Sequence, residues 1–103
     1  MGAATQARIP VPAAALAGFC RRHHIRSLAF FGSVLRDDFG PASDIDVLIE
    51  FEPGQVPGLE FVRMKEDLSR LLGHPVDLNT PKSLSPYFRD RVLREAERVY
   101  GPA

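Results

Sequence analysis

Residues 44–52, DIDVLIEFE, constrain this chain more than any other stretch. Apolar residues recur at every second position, so Ile45, Val47, Ile49 and Phe51 share one side of an extended chain. Asp44, Asp46, Leu48 and Glu50 share the other. A strand with one wholly apolar face has to bury that face against a second layer. The opposite face opens with two aspartates, one residue apart, where the strand enters the core. Carboxylates leaving the same face of a strand repel each other, more strongly where water is partly excluded. A shared proton, a basic side chain or a cation would offset the repulsion. A hard divalent ion such as Mg²⁺ suits an all-oxygen pair.

The rest of the chain supplies the layers such a strand needs. Leu16, Phe19, Cys20 and His23 fall at helical spacing and predict a helix over 13–24, after Pro10 and Pro12. The short apolar run at 27–31, SLAFF, reads as a buried strand ended by Gly32, and 33–38 as a helical turn. Phe61, Met64, Leu68, Leu71 and Leu72 make the stripe of an amphipathic helix over 59–72, with Gly73 placed to cap it. VDLN at 76–79 reads as a short strand, Val76 and Leu78 on one face and Asp77 and Asn79 on the other. Ser85-Pro86 has the form of a helix start, and Phe88, Val92, Ala96 and Val99 predict a final helix over 86–100. The expectation is an α/β (α+β) fold: a small mixed sheet flanked by helices, formed by one domain over 13–103 behind a disordered lead-in at 1–12.

Two further features bear on chemistry. Asp77 is the single carboxylate of its strand; if that strand lies beside the Asp44–Asp46 strand, three carboxylates converge. Three could hold two metal ions roughly 4 Å apart, as in phosphoryl-type transfer. Gly32-Ser33 follows a strand at a turn where the backbone can approach a ligand closely and offer N–H groups and a hydroxyl to an anion. Each element alone has a plainer reading: Asp-x-Asp caps strands at solvated edges, and a lone Gly-Ser or a lone surface Asp carries no chemistry. The combination is what points to a nucleoside triphosphate with Mg²⁺.

Charge narrows the classes. Lys plus Arg and Asp plus Glu are 13 each. A module that binds nucleic acid by neutralising phosphates normally carries a basic excess, so direct nucleic-acid binding is not expected. The single cysteine, Cys20, excludes an intramolecular disulfide and fits a cytoplasmic location. The Ala-rich N-terminal run is too short and too weakly apolar for a membrane span. His23, His24 and His74 are scattered, which argues against a zinc site. Arg89, Arg91, Arg94 and Arg98, interspersed with Glu95 and Glu97, read as a solvated face.

Gly32-Ser33, ten residues, then Asp44-Ile45-Asp46 resembles the signature of the minimal nucleotidyltransferases of the DNA polymerase beta superfamily. The stretches SDIDVLIEF, LLGHPVDLNT and LREAERVYG are also similar to that family, the last to its closing helix; the resemblance covers about 14–101. It implies the nucleotidyltransferase fold, two Mg²⁺ ions and ATP. It implies that Asp44, Asp46 and Asp77 ligate metal, with Asp77 also a general base, and that Gly32, Ser33 and Arg36 hold the triphosphate. It further implies an antitoxin paired with a HEPN-type ribonuclease toxin, silenced by transfer of AMP to one of its tyrosines. Asp37 departs from the pattern, standing where many members have glycine after Arg36. No second domain to grip the base or the acceptor is evident, so an oligomer or a hetero-complex is expected to complete the pocket. A catalytically quiet antitoxin that works by occlusion is the competing reading. Transfer to a small molecule such as an aminoglycoside is a third, for which the relatives carry an extra helical domain.

Overall fold

The computed structural model describes residues 9, 11–36, 39–40, 42–55 and 57–101. Asp37, the departure from the family pattern, lies outside them, as does most of the expected lead-in. Of the lead-in, Ile9 is buried in the main core and Val11 packs against it.

The elements are α1 (Ala13–Arg22), β1 (Ile25–Phe31), a 3-10 turn (Gly32–Leu35), β2 (Ile45–Phe51), α2 (Glu60–Leu72), β3 (Val76–Asn79), a second 3-10 turn (Pro81–Ser83), α3 (Arg89–Glu95) and β4 (Glu97–Tyr100). The four strands form one sheet in the order β3-β2-β1-β4. β1 pairs antiparallel with β2 and β4, and β2 pairs parallel with β3. The sheet is therefore mixed, as expected for this α+β architecture.

The alternation of β2 divides the molecule. Ile45, Val47 and Ile49 enter the main core with Leu28, Phe30, Val76 and Leu78, beneath Leu16, Phe19 and Cys20 of α1 and Met64, Leu68 and Leu72 of α2. α1 has no side-chain N-cap. Losing a cap costs about 1 kcal/mol, whereas each fully buried Leu or Phe stabilises by about 1.5–3 kcal/mol, so packing outweighs the missing cap. α2 ends as its sequence predicts: Gly73 is left-handed at φ 74°, and its N–H donates to the Ser69 carbonyl at 2.8 Å. The opposite face of the sheet carries a smaller cluster of Leu48, Leu84 and Val92, flanked by Ala29, Phe31 and Ala96.

The expected final helix is corrected. Regular helix covers only Arg89–Glu95; Ser85 opens the turn before it, its carbonyl accepting from the N–H groups of Phe88 and Arg89. Ala96 is extended at φ −62° and ψ 140°, and the chain then runs as β4 along β1. The reason is tertiary. Val92 and Ala96 belong to the small cluster on one face, whereas Val99 packs against the main core on the other. A straight helix cannot serve both faces, and a strand there also satisfies the free edge of β1. Arg89 is likewise no solvated residue. Its Nε donates to the Pro81 carbonyl at 2.7 Å and its Nη2 to the Leu84 carbonyl at 2.9 Å. Arg91, paired with Glu95 at 3.3 Å, does lie on an exposed face.

Candidate active site

The parallel pairing of β2 with β3 sets the site. Asp46 and Asp77 are register partners, so their side chains leave the same face of neighbouring strands. Phe31 is the partner of Asp46 on the other side, in β1. Asp46 is half-buried between them, while Asp77 and Asp44 are exposed. Asp44 stands one residue ahead of β2. The Ile45 N–H donates to the Pro75 carbonyl at 2.8 Å, which ties the start of β2 to the start of β3. Just before it, Gly40 and Ser43 close a turn: the Gly40 N–H donates to Ser43 Oγ, and the Ser43 N–H to the Gly40 carbonyl, both at 3.0 Å.

Gly32 completes the close contacts. It adopts φ +78°, a region unfavourable to residues with a side chain. A Cβ placed on it would also collide with Oδ2 of Asp46 and sit 3.2 Å from that residue's Cγ. The Gly-Ser turn is thus packed directly on the Asp46 carboxylate. Ser33 follows within the 3-10 turn, its carbonyl accepting from the Arg36 N–H at 2.9 Å.

Electrostatics show how these groups act on one another. Burial pushes the Asp46 carboxyl above the usual carboxylate range; the nearby charges of Asp77 and then Asp44 push it further, and Arg36 opposes them. The structure therefore gathers Asp44, Asp77, Arg36 and Gly32 about Asp46. Sequence reasoning did not single out Phe31 or Ser43; the Ser that begins SDID was the only trace of the turn.

The donor chemistry fits a hard divalent cation. The carboxylates are all-oxygen, mutually repelling and partly exposed, so a cation would relieve the strain felt at Asp46. Among the described residues, no group of three His, Cys, Asp or Glu side chains already forms a metal cage. The fit therefore rests on the Asp46–Asp77 pair, with Asp44 adjacent. Cys20 is a core thiol pushed up to about 12 by burial.

A cleft of about 640 Å³ lies elsewhere. It is lined by Ile49, Phe51, Phe61, Thr80, Pro81 and Lys82, among others, at the C-terminal ends of β2 and β3. The carboxylates occupy the N-terminal ends of the same strands, and four residues of strand separate the two regions by roughly 13 Å. No helix among the described residues is long and apolar enough to cross a membrane.

Comparison with known proteins places the chain in a family. A family model described as a nucleotidyltransferase domain matches residues 14–99. The protein adenylyltransferase MntA of Thermococcus cleftensis is 39% identical over 79 residues, 76% of this chain and 78% of that protein. A solved structure described as a minimal nucleotidyltransferase is 40% identical with a TM-score of 0.64, over 82% of this chain and 85% of the other. The fold is also shared, at 18% identity and a TM-score of 0.59, with a complex described as a tri-AMPylated Shewanella oneidensis HEPN toxin bound to an MNT antitoxin; 87% of this chain and 70% of that one are covered.

Proposed function

Because this chain belongs to the nucleotidyltransferase domain family, we propose that it is a protein adenylyltransferase, moving AMP from ATP to a tyrosine hydroxyl of a HEPN-type toxin and thereby acting as its antitoxin. The observation that carries this reading is the Asp46–Asp77 register pair with Gly32 packed on it. The likeness to the MntA adenylyltransferase of Thermococcus cleftensis supports the acceptor class. The fold shared with the HEPN–MNT complex agrees with such a partner.

In this reading Asp44, Asp46 and Asp77 hold two Mg²⁺ ions. The ions, when bound, supply charge neutralisation at the triphosphate and at the attacking and leaving oxygens. Gly32, whose missing side chain makes room for the Asp46 carboxylate, offers its backbone to the phosphates, and Ser33 and Arg36 hold them. The acceptor oxygen attacks the α-phosphorus, the bond to the β-phosphate oxygen breaks, and pyrophosphate departs. Asp77, exposed at the sheet edge strand β3, takes the hydroxyl proton.

The test is incubation with labelled ATP, Mg²⁺ and the partner toxin. The toxin should gain mass in AMP units, and Asp44→Ala or Asp46→Ala should abolish the gain. Transfer that survives both substitutions removes the assignment. A second reading, neutralisation by binding alone, is favoured by the absence of a preformed three-carboxylate cage among the described residues. It requires the double variant to silence the toxin stoichiometrically.

A further inference from the structure

At the same end of the sheet as the carboxylates, one buried side-chain polar atom among the described residues has no hydrogen-bond partner: Nδ1 of His74. Its imidazole lies against the ring of Phe39, with centroids 5.0 Å apart and planes at 48°. The two residues differ in how they are held. His74 sits between the capped end of α2 and β3. On one side the Gly73 N–H bonds to Ser69, and on the other Ser69 Oγ accepts from the Val76 N–H at 3.2 Å and the Pro75 carbonyl accepts from Ile45. Phe39 lies in the connection between the 3-10 turn and β2. There the backbone bonds of the described residues are local: Phe39 to Arg36 at 3.4 Å, and the Gly40–Ser43 turn. That connection begins at Arg36 and delivers the chain to Asp44, two of the charges that act on Asp46. Phe39 also packs against the main core, and its ring contact with His74 joins the connection to the segment between α2 and β3.

We infer that the Phe39–His74 ring pair is a latch that positions Asp44 and Arg36 about the Asp46–Asp77 pair, with His74 serving as an aromatic ring and not as an acid, base or ligand. An Nδ1 that is buried and unpaired contributes no hydrogen bond, and replacing such a group by an apolar one of similar shape is close to neutral or stabilising. Phe39 and His74 are positioning residues, since neither is placed against the reacting atoms. The role rests on the proposed nucleotide-transfer site only in what it positions; the latch itself is a property of the unliganded chain.

The experiment uses the full chain carrying Phe39→Ala, Phe39→Leu, His74→Ala or His74→Phe. Amide hydrogen exchange is read at Ser43, with Val47 in the core as the control for global unfolding, and Mn²⁺ binding is measured in parallel. A tilted ring pair of this kind corresponds to between about twofold and tenfold in an opening equilibrium. Phe39→Ala and His74→Ala should therefore speed exchange at Ser43 by about that factor while Val47 is unchanged, and should weaken Mn²⁺ binding in step. His74→Phe should match the wild type in both. Phe39→Leu, which keeps bulk but loses the ring, should fall between, and it stands in for Phe39→Ala if that variant does not fold. The latch is overturned if His74→Phe behaves like His74→Ala, or if neither substitution of Phe39 alters exchange at Ser43. A wild-type chain whose Mn²⁺ binding is indifferent to Asp46→Asn would overturn the metal-site reading instead, and the exchange measurement would still decide the latch.

Discussion

Gly32 and Asp46 are in contact across the β1–β2 pair, so closely that a methyl group on the glycine would overlap the aspartate's carboxylate. The turn that follows β1 and the first inward carboxylate of β2 are therefore one structural unit. The ten residues between Ser33 and Asp44 make the excursion that brings the chain back to the same place.

Gly32→Ala should be harmful twice over. Holding a residue with a side chain at φ +78° costs about 1–3 kcal/mol, and the overlap adds to it. Gly54 provides the control, because it has φ +80° with open space around it. Gly54→Ala should lower the denaturant midpoint by the backbone term alone and leave nucleotide transfer intact. Gly32→Ala should lower the midpoint further and abolish transfer by displacing Asp46.

Asp46 should make the metal-free protein less stable as pH rises. Its folded-state pKa lies above the ordinary value of 3.8, so between the two the native state binds more protons than the unfolded chain. Stability then falls with increasing pH through that window. Asp46→Asn removes the effect. Its Tm should exceed that of the wild type at neutral pH and the two should converge below 3.8. Added Mg²⁺ should raise the Tm of the wild type and not of the variant.

Asp77→Ala should separate chemistry from folding. Asp77 is exposed, whereas Val76 and Leu78 on either side carry the packing of β3. The variant should melt within a degree or two of the wild type. Loss of a general base typically lowers the rate by about 10²–10⁴-fold, and loss of a metal ligand would add to this. Single-turnover transfer from labelled ATP measures it.

Arg89→Ala should destabilise the C-terminal segment. The guanidinium bonds two carbonyls, those of Pro81 and Leu84, and so ties the second 3-10 turn to α3. Hydrogen bonds to a charged group contribute about 1.5–3 kcal/mol, and a loss of that size should appear in chemical unfolding. Arg89→Lys should recover only part, since an ammonium on a flexible stem does not reproduce the two-pronged geometry.

Sequence alone determined what local periodicity and turn chemistry control. The alternation of residues 44–52 set which face of β2 is buried, the stripe from Phe61 to Leu72 set α2, and Gly73 set its end. The Gly-Ser, Asp-x-Asp and lone Asp77 pattern named the residues that the fold gathers. Their meeting was conditional in the sequence, because Asp46 and Asp77 are brought together only by a parallel strand pairing whose register no local signal encodes. The C-terminal segment shows the opposite case. Phe88, Val92, Ala96 and Val99 have helical spacing, but the unpaired edge of β1 and the two separate apolar clusters required a strand from Glu97 onward. Phe39 and His74, 35 positions apart, carried no sequence signal of contact. Short-range pattern fixes which faces of an element are apolar; which elements become neighbours depends on how all those faces can be covered at once, and that is decided only in the folded chain.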